Sequence, residues 1–125
     1  LLFAQILQKS LSKEFFIGHI GGDDFFIASC QNHVHTIHKI EQIIKKFKED
    51  VLSFYSAEDR QNGYIDACDR ENNPKRFKLL SVSASILVVT KSSRHKEFNQ
   101  IQNILAKLKK CAKNEPHHLA ISHLL

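Results

Sequence analysis

The sequence predicts an α+β fold, a sheet containing antiparallel strands with helices on its faces. Three observations carry that prediction. Two apolar, β-rich runs meet at Gly21-Gly22-Asp23-Asp24, and adjacent glycines permit the positive φ that a hairpin reversal needs. Segments 32–55 and 96–113 repeat apolar residues at alternating spacings of three and four, as amphipathic helices do. Residues 79–90 are rich in Leu, Val and Ile, with serines alternating through their first half, which is a strand pattern.

In chain order, residues 1–13 read as the end of a helix with Leu2, Phe3, Ile6, Leu7 and Leu11 on one broad face. Its periodicity starts at once, without an N-cap signal, so an earlier part of the domain is expected before Leu1. Hairpin strands follow near 15–20 and 24–30. The helix over 32–55 carries the stripe Ile37, Ile40, Ile44, Phe47, Val51 and Phe54, leaving Lys45, Lys46, Lys48 and Glu49 in water. Residues 56–78 form a polar insertion with turn signals at Gln61-Asn62-Gly63 and Glu71-Asn72-Asn73-Pro74. Within it, Tyr64-Ile65-Asp66-Ala67-Cys68 and Arg76-Phe77-Lys78 predict a small second hairpin at a sheet edge. In the strand over 79–90, Val82, Ala84, Ile86 and Val88 face one side, and Ser81, Ser83, Ser85 and Leu87 the other. The last helix has the stripe Phe98, Ile101, Leu105, Leu108 and Ala112, and Pro116 ends it. The tail, 117–125, is apolar enough to pack as a short final strand.

A chain of 125 residues, 42% apolar and 25% charged, is one domain that can bury a core without staples. No apolar run reaches bilayer length and no leader pattern is present, so the cytoplasm is the expected compartment. Cys30, Cys68 and Cys111 are odd in number and widely spaced, without metal-ligand spacing; they read as free, mostly packed thiols. The net charge of +5 comes largely from lysines at helix positions that should face solvent. With no zinc-finger spacing and no RNA-binding aromatic motif beside them, nucleic acid is not expected as a partner.

The candidate chemistry lies at the turn. Asp23 and Asp24 stand beside a backbone without side chains, a place for Mg²⁺ to meet a phosphate, because Mg²⁺ takes oxygen ligands and shares them with its substrate. The competing reading is a plain hairpin. Of His33, His35 and His38, only the last two share a helical face, and no acid or cysteine completes a metal set, so surface histidines are favoured. His117, His118 and His123 get the same reading. Glu58, Asp59, Asp66 and Asp69 fall in the polar insertion and read as solvated loop charges. Lys107, Lys109, Lys110 and Lys113 read as a wet face with favourable charge at a helix C-terminus. Ser81, Ser83 and Ser85 have no matched His and Asp and are not read as nucleophiles.

The stretch Gly18-His19-Ile20-Gly21-Gly22-Asp23-Asp24-Phe25 resembles the signature of the GGDEF family, the diguanylate cyclases and their inactive relatives, which join two GTP molecules into cyclic di-GMP. Leu80-Ser81-Val82-Ser83-Ala84-Ser85-Ile86 looks like the family's strand after its second long helix, with Ser85 where glycine is usual. Ala112-Lys113 resembles the Ala-Lys pair near the end of the last helix. The resemblance implies a ferredoxin-like palm whose first strand and helix are missing here. It implies Mg²⁺ held by Asp23 and Asp24, with Asp23 assisting deprotonation of the attacking hydroxyl. Gly21 and Gly22 would let the backbone approach the triphosphate, and Lys113 would contact phosphate. By the resemblance His117 stands in the place of the family's phosphate-binding arginine and would contact phosphate there, without arginine's permanent charge.

Other departures point to impairment. Asp24 stands where Glu is usual, one methylene shorter. Residues 1–14 hold no aspartate, so the family's first metal-binding acid and its guanine readers are absent. The Arg-x-x-Asp product-inhibition site would fall on Ser12 and Phe15 and is also absent, and His19 stands where arginine is common. The insertion, from Gly63-Tyr64-Ile65 through Asp69-Arg70 to Phe77-Lys78-Leu79-Leu80-Ser81, looks like that of GGDEF domains that share a polypeptide with an EAL phosphodiesterase domain. The expectation is a partial GGDEF-type domain of cyclic di-GMP signalling, inactive alone, that binds GTP or cyclic di-GMP or dimerises as a regulatory module. The alternatives are the larger part of an active diguanylate cyclase and a structural domain with no nucleotide role.

Overall fold

The computed structural model describes residues 2–11, 13–90 and 97–124. Over these described residues it is a mixed α/β structure with four α-helices and three two-stranded sheets. Helix α1 (Leu2–Ser10) leads into the hairpin β1 (Phe15–Gly21) and β2 (Asp24–Ser29). Helix α2 (His33–Val51) follows and tightens into a 3₁₀ turn over Leu52–Phe54. Then come α3 (Ala57–Asn62), β3 (Tyr64–Cys68), β4 (Pro74–Lys78), β5 (Ala84–Val89), α4 (Phe98–Asn114) and β6 (Leu119–Leu124). The pairs β1–β2 and β3–β4 are antiparallel, and β5–β6 is parallel.

One core holds α1, α2, the first hairpin and β5 together. Ile6, Leu7 and Leu11 of the first helical segment meet Ile40, Ile43, Phe47 and Val51 of α2, and Phe15 closes the cluster. Phe3 joins it edge-on to both Phe25 and Phe47, with ring centroids 5.4 and 5.7 Å apart. Ile17, Phe25 and Ile27 pack on it from the hairpin, and Val82, Ala84, Ile86 and Leu119 from the β5–β6 side. The two strand pairs therefore share one helical layer without being hydrogen-bonded to each other. The opposite face of β5 meets α4, where the Ser85 hydroxyl donates to the Leu105 carbonyl at 3.2 Å. Ala112 of α4 is fully buried.

Several boundaries move from expectation. The α2 stripe runs through Ile43, which is 2% exposed, and ends at Val51, whereas Phe54 is 70% exposed. A 3₁₀ turn advances the chain by a third of a revolution per residue, so the α-helical spacing no longer points Phe54 inward. The strand expected over 79–90 begins at Ala84. Its partner β6 starts opposite that residue, at Leu119, after the chain leaves α4 past Pro116 and turns at His118, which has a positive φ of 56°. Without a paired strand, residues 79–83 are held by side chains instead: the Leu80 amide donates to the Tyr55 hydroxyl at 3.1 Å. The insertion contains the expected hairpin, as a separate two-stranded sheet and not at the edge of another, and also α3, capped by the Ser56 hydroxyl and closed at Gly63 with a φ of +79°. Phe98 opens α4 and is 60% exposed, outside its stripe. Lys96, Leu1, Ser12 and Leu125, named in the sequence reading, lie outside the described residues. The three cysteines are free, as expected, but exposed instead of packed. Among the described residues, no helix is long and apolar enough to cross a membrane.

Candidate functional site

The glycine turn is open to solvent from Gly21 to Asp24. Gly21 and Asp24 form its last paired rung, so Gly22 and Asp23 make the two-residue reversal. Gly22 has a φ of +54° and Asp23 does not have a positive φ, the sign pattern of a hairpin turn with glycine first. A Cβ on Gly21 or Gly22 would meet nothing within 4 Å. These glycines therefore serve backbone conformation, and they leave the main chain of the turn bare to solvent.

Two devices re-aim this turn. The register slips between His19 and Gly21, leaving Ile20 as an extra residue on β1, and such a bulge bends the strand. The His19 ring stacks on its cross-strand neighbour Phe25, with centroids 4.6 Å apart and planes at 15°. From there its Nε2 donates to the Gly22 carbonyl at 2.8 Å, which fixes the protonated tautomer at that nitrogen.

Helix α4 supplies the other side of the site. The Lys109 ammonium forms an ion pair and hydrogen bond with the Asp24 carboxylate. That hydrogen bond, and then the charge of Lys109, hold the Asp24 carboxyl below the ordinary aspartate value of 3.8, with a smaller contribution from Lys113. Lys109 and Lys113 are one helical turn apart and so share a face. Like charges at that spacing repel by a few tenths of a kcal/mol, roughly, unless an anion sits between or beside them. Asp24 is that anion here.

The structure thus brings Asp24, Lys109 and Lys113 to one neighbourhood beside Gly21, Gly22 and Asp23. His117 lies in the exposed turn after α4, and among the described residues no hydrogen bond or ion pair joins it to the glycine turn. Phe15, one of the two positions of the missing inhibition site, is buried in the core.

Magnesium fits only as a shared ion. Of the oxygens the turn offers, the Asp24 carboxylate is engaged by Lys109 and the Gly22 carbonyl by His19, while Asp23 is exposed. Among the described residues no group of three His, Cys, Asp or Glu comes together. Such a donor set does not enclose a cation, but it suits one that brings phosphate ligands with it, as Mg²⁺ usually does.

The remaining candidates resolve into structure. Asp66 pairs with Arg76 at 3.0 Å, and the Asp69 carboxylate accepts from the Glu71 and Asn73 amides at 2.9 Å each, so these acids shape the second hairpin. His33, His35 and His38 are exposed at the start of α2. Ser83 lies 3.4 Å from Nδ1 of His118, a contact not expected from the sequence, but no carboxylate among the described residues orients that ring. Lys109 and the turn-bracing role of His19 were also missed. The available signal for Lys109 was its spacing of four from Lys113.

No protein-family model matches the chain, and no curated protein and no solved structure matches it either.

Proposed function

We propose that this protein is a GGDEF-type regulatory module that binds the polyphosphate of a guanine nucleotide at the glycine turn and is impaired as a cyclase. The observation that carries the reading is the open Gly21-Gly22 backbone lying beside two lysines on one face of α4. Bare backbone lets phosphate approach closely, and two fixed cations complement its charge. Asp23, exposed at the tip, would share a Mg²⁺ that arrives with the triphosphate, and the ion would supply charge neutralisation there. His117 in place of arginine removes a permanent cation, in keeping with binding without efficient turnover. The palm architecture implied by the resemblance would join the first hairpin and β5 in one sheet, and their packing on the same α1–α2 layer supports it.

Calorimetry with GTP and Mg²⁺ tests the reading. Micromolar to millimolar binding is expected, weakened about tenfold by Lys113→Ala, the loss that one charge-assisted phosphate contact produces. No accumulation of cyclic di-GMP is expected. Absence of GTP binding would end the nucleotide reading, and rapid turnover would end the impairment.

The ion pair between Lys109 and Asp24 also favours a second reading, a turn that merely ties β2 to α4. In that case Asp23→Asn and Lys113→Ala leave every ligand titration unchanged.

A further inference from the structure

We propose that the free edge of β4 binds an acidic, extended segment of a partner protein, which adds to the second hairpin as a third strand. The inference goes beyond the nucleotide reading and does not depend on it.

The backbone sets the place. Strand β4 pairs with β3 alone, and all five of its residues are exposed. Cys68 faces Pro74, which has no N–H to donate, and the next amide, that of Asp69, donates to the Asn73 carbonyl at 2.9 Å. Cys68 and Pro74 are therefore a pair without mutual hydrogen bonds, and by alternation so are Asp66 with Arg76 and Tyr64 with Lys78. The N–H and C=O groups of Arg76 and Lys78 thus point away from β3, to the side where a further strand would lie.

The side chains select the occupant. Arg76 and Lys78 stand on one face of β4, Lys75 and Phe77 on the other. Arg76 is already held in place: its Nε donates to Asp66 at 3.0 Å, and its guanidinium lies over the Tyr64 ring, 3.8 Å from the centroid. Its terminal nitrogens can therefore meet an incoming carboxylate without the side chain being ordered first. Lys75 lies over Phe77, 5.4 Å from the ring centroid, and Phe77 is 37% exposed. The matching strand has carboxylates opposite Arg76 and Lys78 and an apolar residue opposite Phe77. Strand β3 carries Asp66 and no cation, so its own edge lacks this preference.

Other occupants fit less well. Acids and bases are equal in number over residues 57–78, so the positive charge is confined to β4 and does not make the extended field that nucleic acid requires. A second copy of β4 would set Lys75, Arg76 and Lys78 against the same cations. Edge lysines keep chance strands off a sheet, and an acidic strand is the one such charges admit. A two-stranded hairpin that contributes nothing to the core is marginal in water and gains from a third strand.

The test uses a capped peptide of alternating Glu and Val. Added to the isotope-labelled protein, it is expected to slow amide exchange at Arg76 and Lys78 and to leave Lys75 and Phe77, already bonded to β3, as they were. Fluorescence anisotropy of the labelled peptide should show binding that weakens about tenfold in the variant carrying Lys75→Glu and Lys78→Glu. N-methylation of alternate peptide amides, which keeps the charge and removes the donors a third strand needs, should also weaken it about tenfold. The same peptide with Lys in place of Glu should not bind. Equal binding of the N-methylated peptide would overturn the proposal by reducing it to charge attraction, and so would no binding of the acidic peptide. Protection of the Tyr64 and Asp66 amides in place of Arg76 and Lys78 would put the added strand on the wrong edge. Tighter binding of an oligouridylate, or self-association that protects the β4 amides without peptide, would assign the edge to a different occupant and overturn the proposal. The N-methylated peptide is tested on the unaltered protein, so the outcome stands even if the double variant loses its hairpin.

Discussion

Asp24 shows how one contact changes the meaning of a residue. As a member of an acidic pair it suggested a metal ligand; beside Lys109 it is first an ion-pair partner. Its pKa is lowered by that hydrogen bond and charge, so the folded state binds a proton there less readily than the unfolded chain does. The contribution to stability is present above the ordinary aspartate value of 3.8 and is lost as pH falls through the lower folded-state value. Because both groups are largely exposed, it is at most about 1 kcal/mol. An NMR titration of the Asp24 carboxylate should give a midpoint below 3.8 that moves back toward it in Lys109→Met. An unmoved midpoint would mean that the pair does not persist in solution. Asp23, one residue earlier, has no such partner among the described residues, so the two acids of the turn are chemically unlike despite their adjacency.

Elements were legible where periodicity or turn chemistry is strong. The first hairpin, the face of α1 and the wet lysines of α2 lie where local pattern puts them. The misses share a cause, which is that the end of an element depends on its partner. β5 starts where β6 does, and α2 changes pitch where the core stops needing it. Helix α3 is six residues long, too short for a periodic signal. The shift within α2 has a measurable consequence. Ile43→Ala, at a site 2% exposed, should cost about 2–5 kcal/mol in urea unfolding, and Phe54→Ala, at a site 70% exposed, less than about 0.5. The opposite ranking would return Phe54 to the core.

At the scale of the molecule, one hydrophobic cluster joins α1, α2, the first hairpin and β5, and none of its members comes from residues 56–78. That insertion stands outside the core, its ends drawn together where the Leu80 amide meets the Tyr55 hydroxyl at 3.1 Å. Replacing residues 57–78 with a short Gly-Ser linker should leave the fold intact and shift the melting midpoint by only a few degrees, checked by circular dichroism. Loss of cooperative unfolding would show that the insertion is part of the folding unit. The same outward position keeps it clear of the contacts that form the candidate site, which all come from β1, β2 and α4.

The sequence alone determined what is local: the reversal within Gly21-Gly22-Asp23-Asp24, the helical stripes and the strand-forming runs, since these depend on backbone freedom and on spacing along the chain. Only the tertiary structure decided that Lys109 meets Asp24, that His19 braces Gly22, and that two strand pairs share one helical layer. The His19 contact is short in sequence but needs a bulge and a cross-strand ring to form. The Lys109 contact requires two elements 85 residues apart to be packed before the charges can find each other, and no spacing rule encodes that.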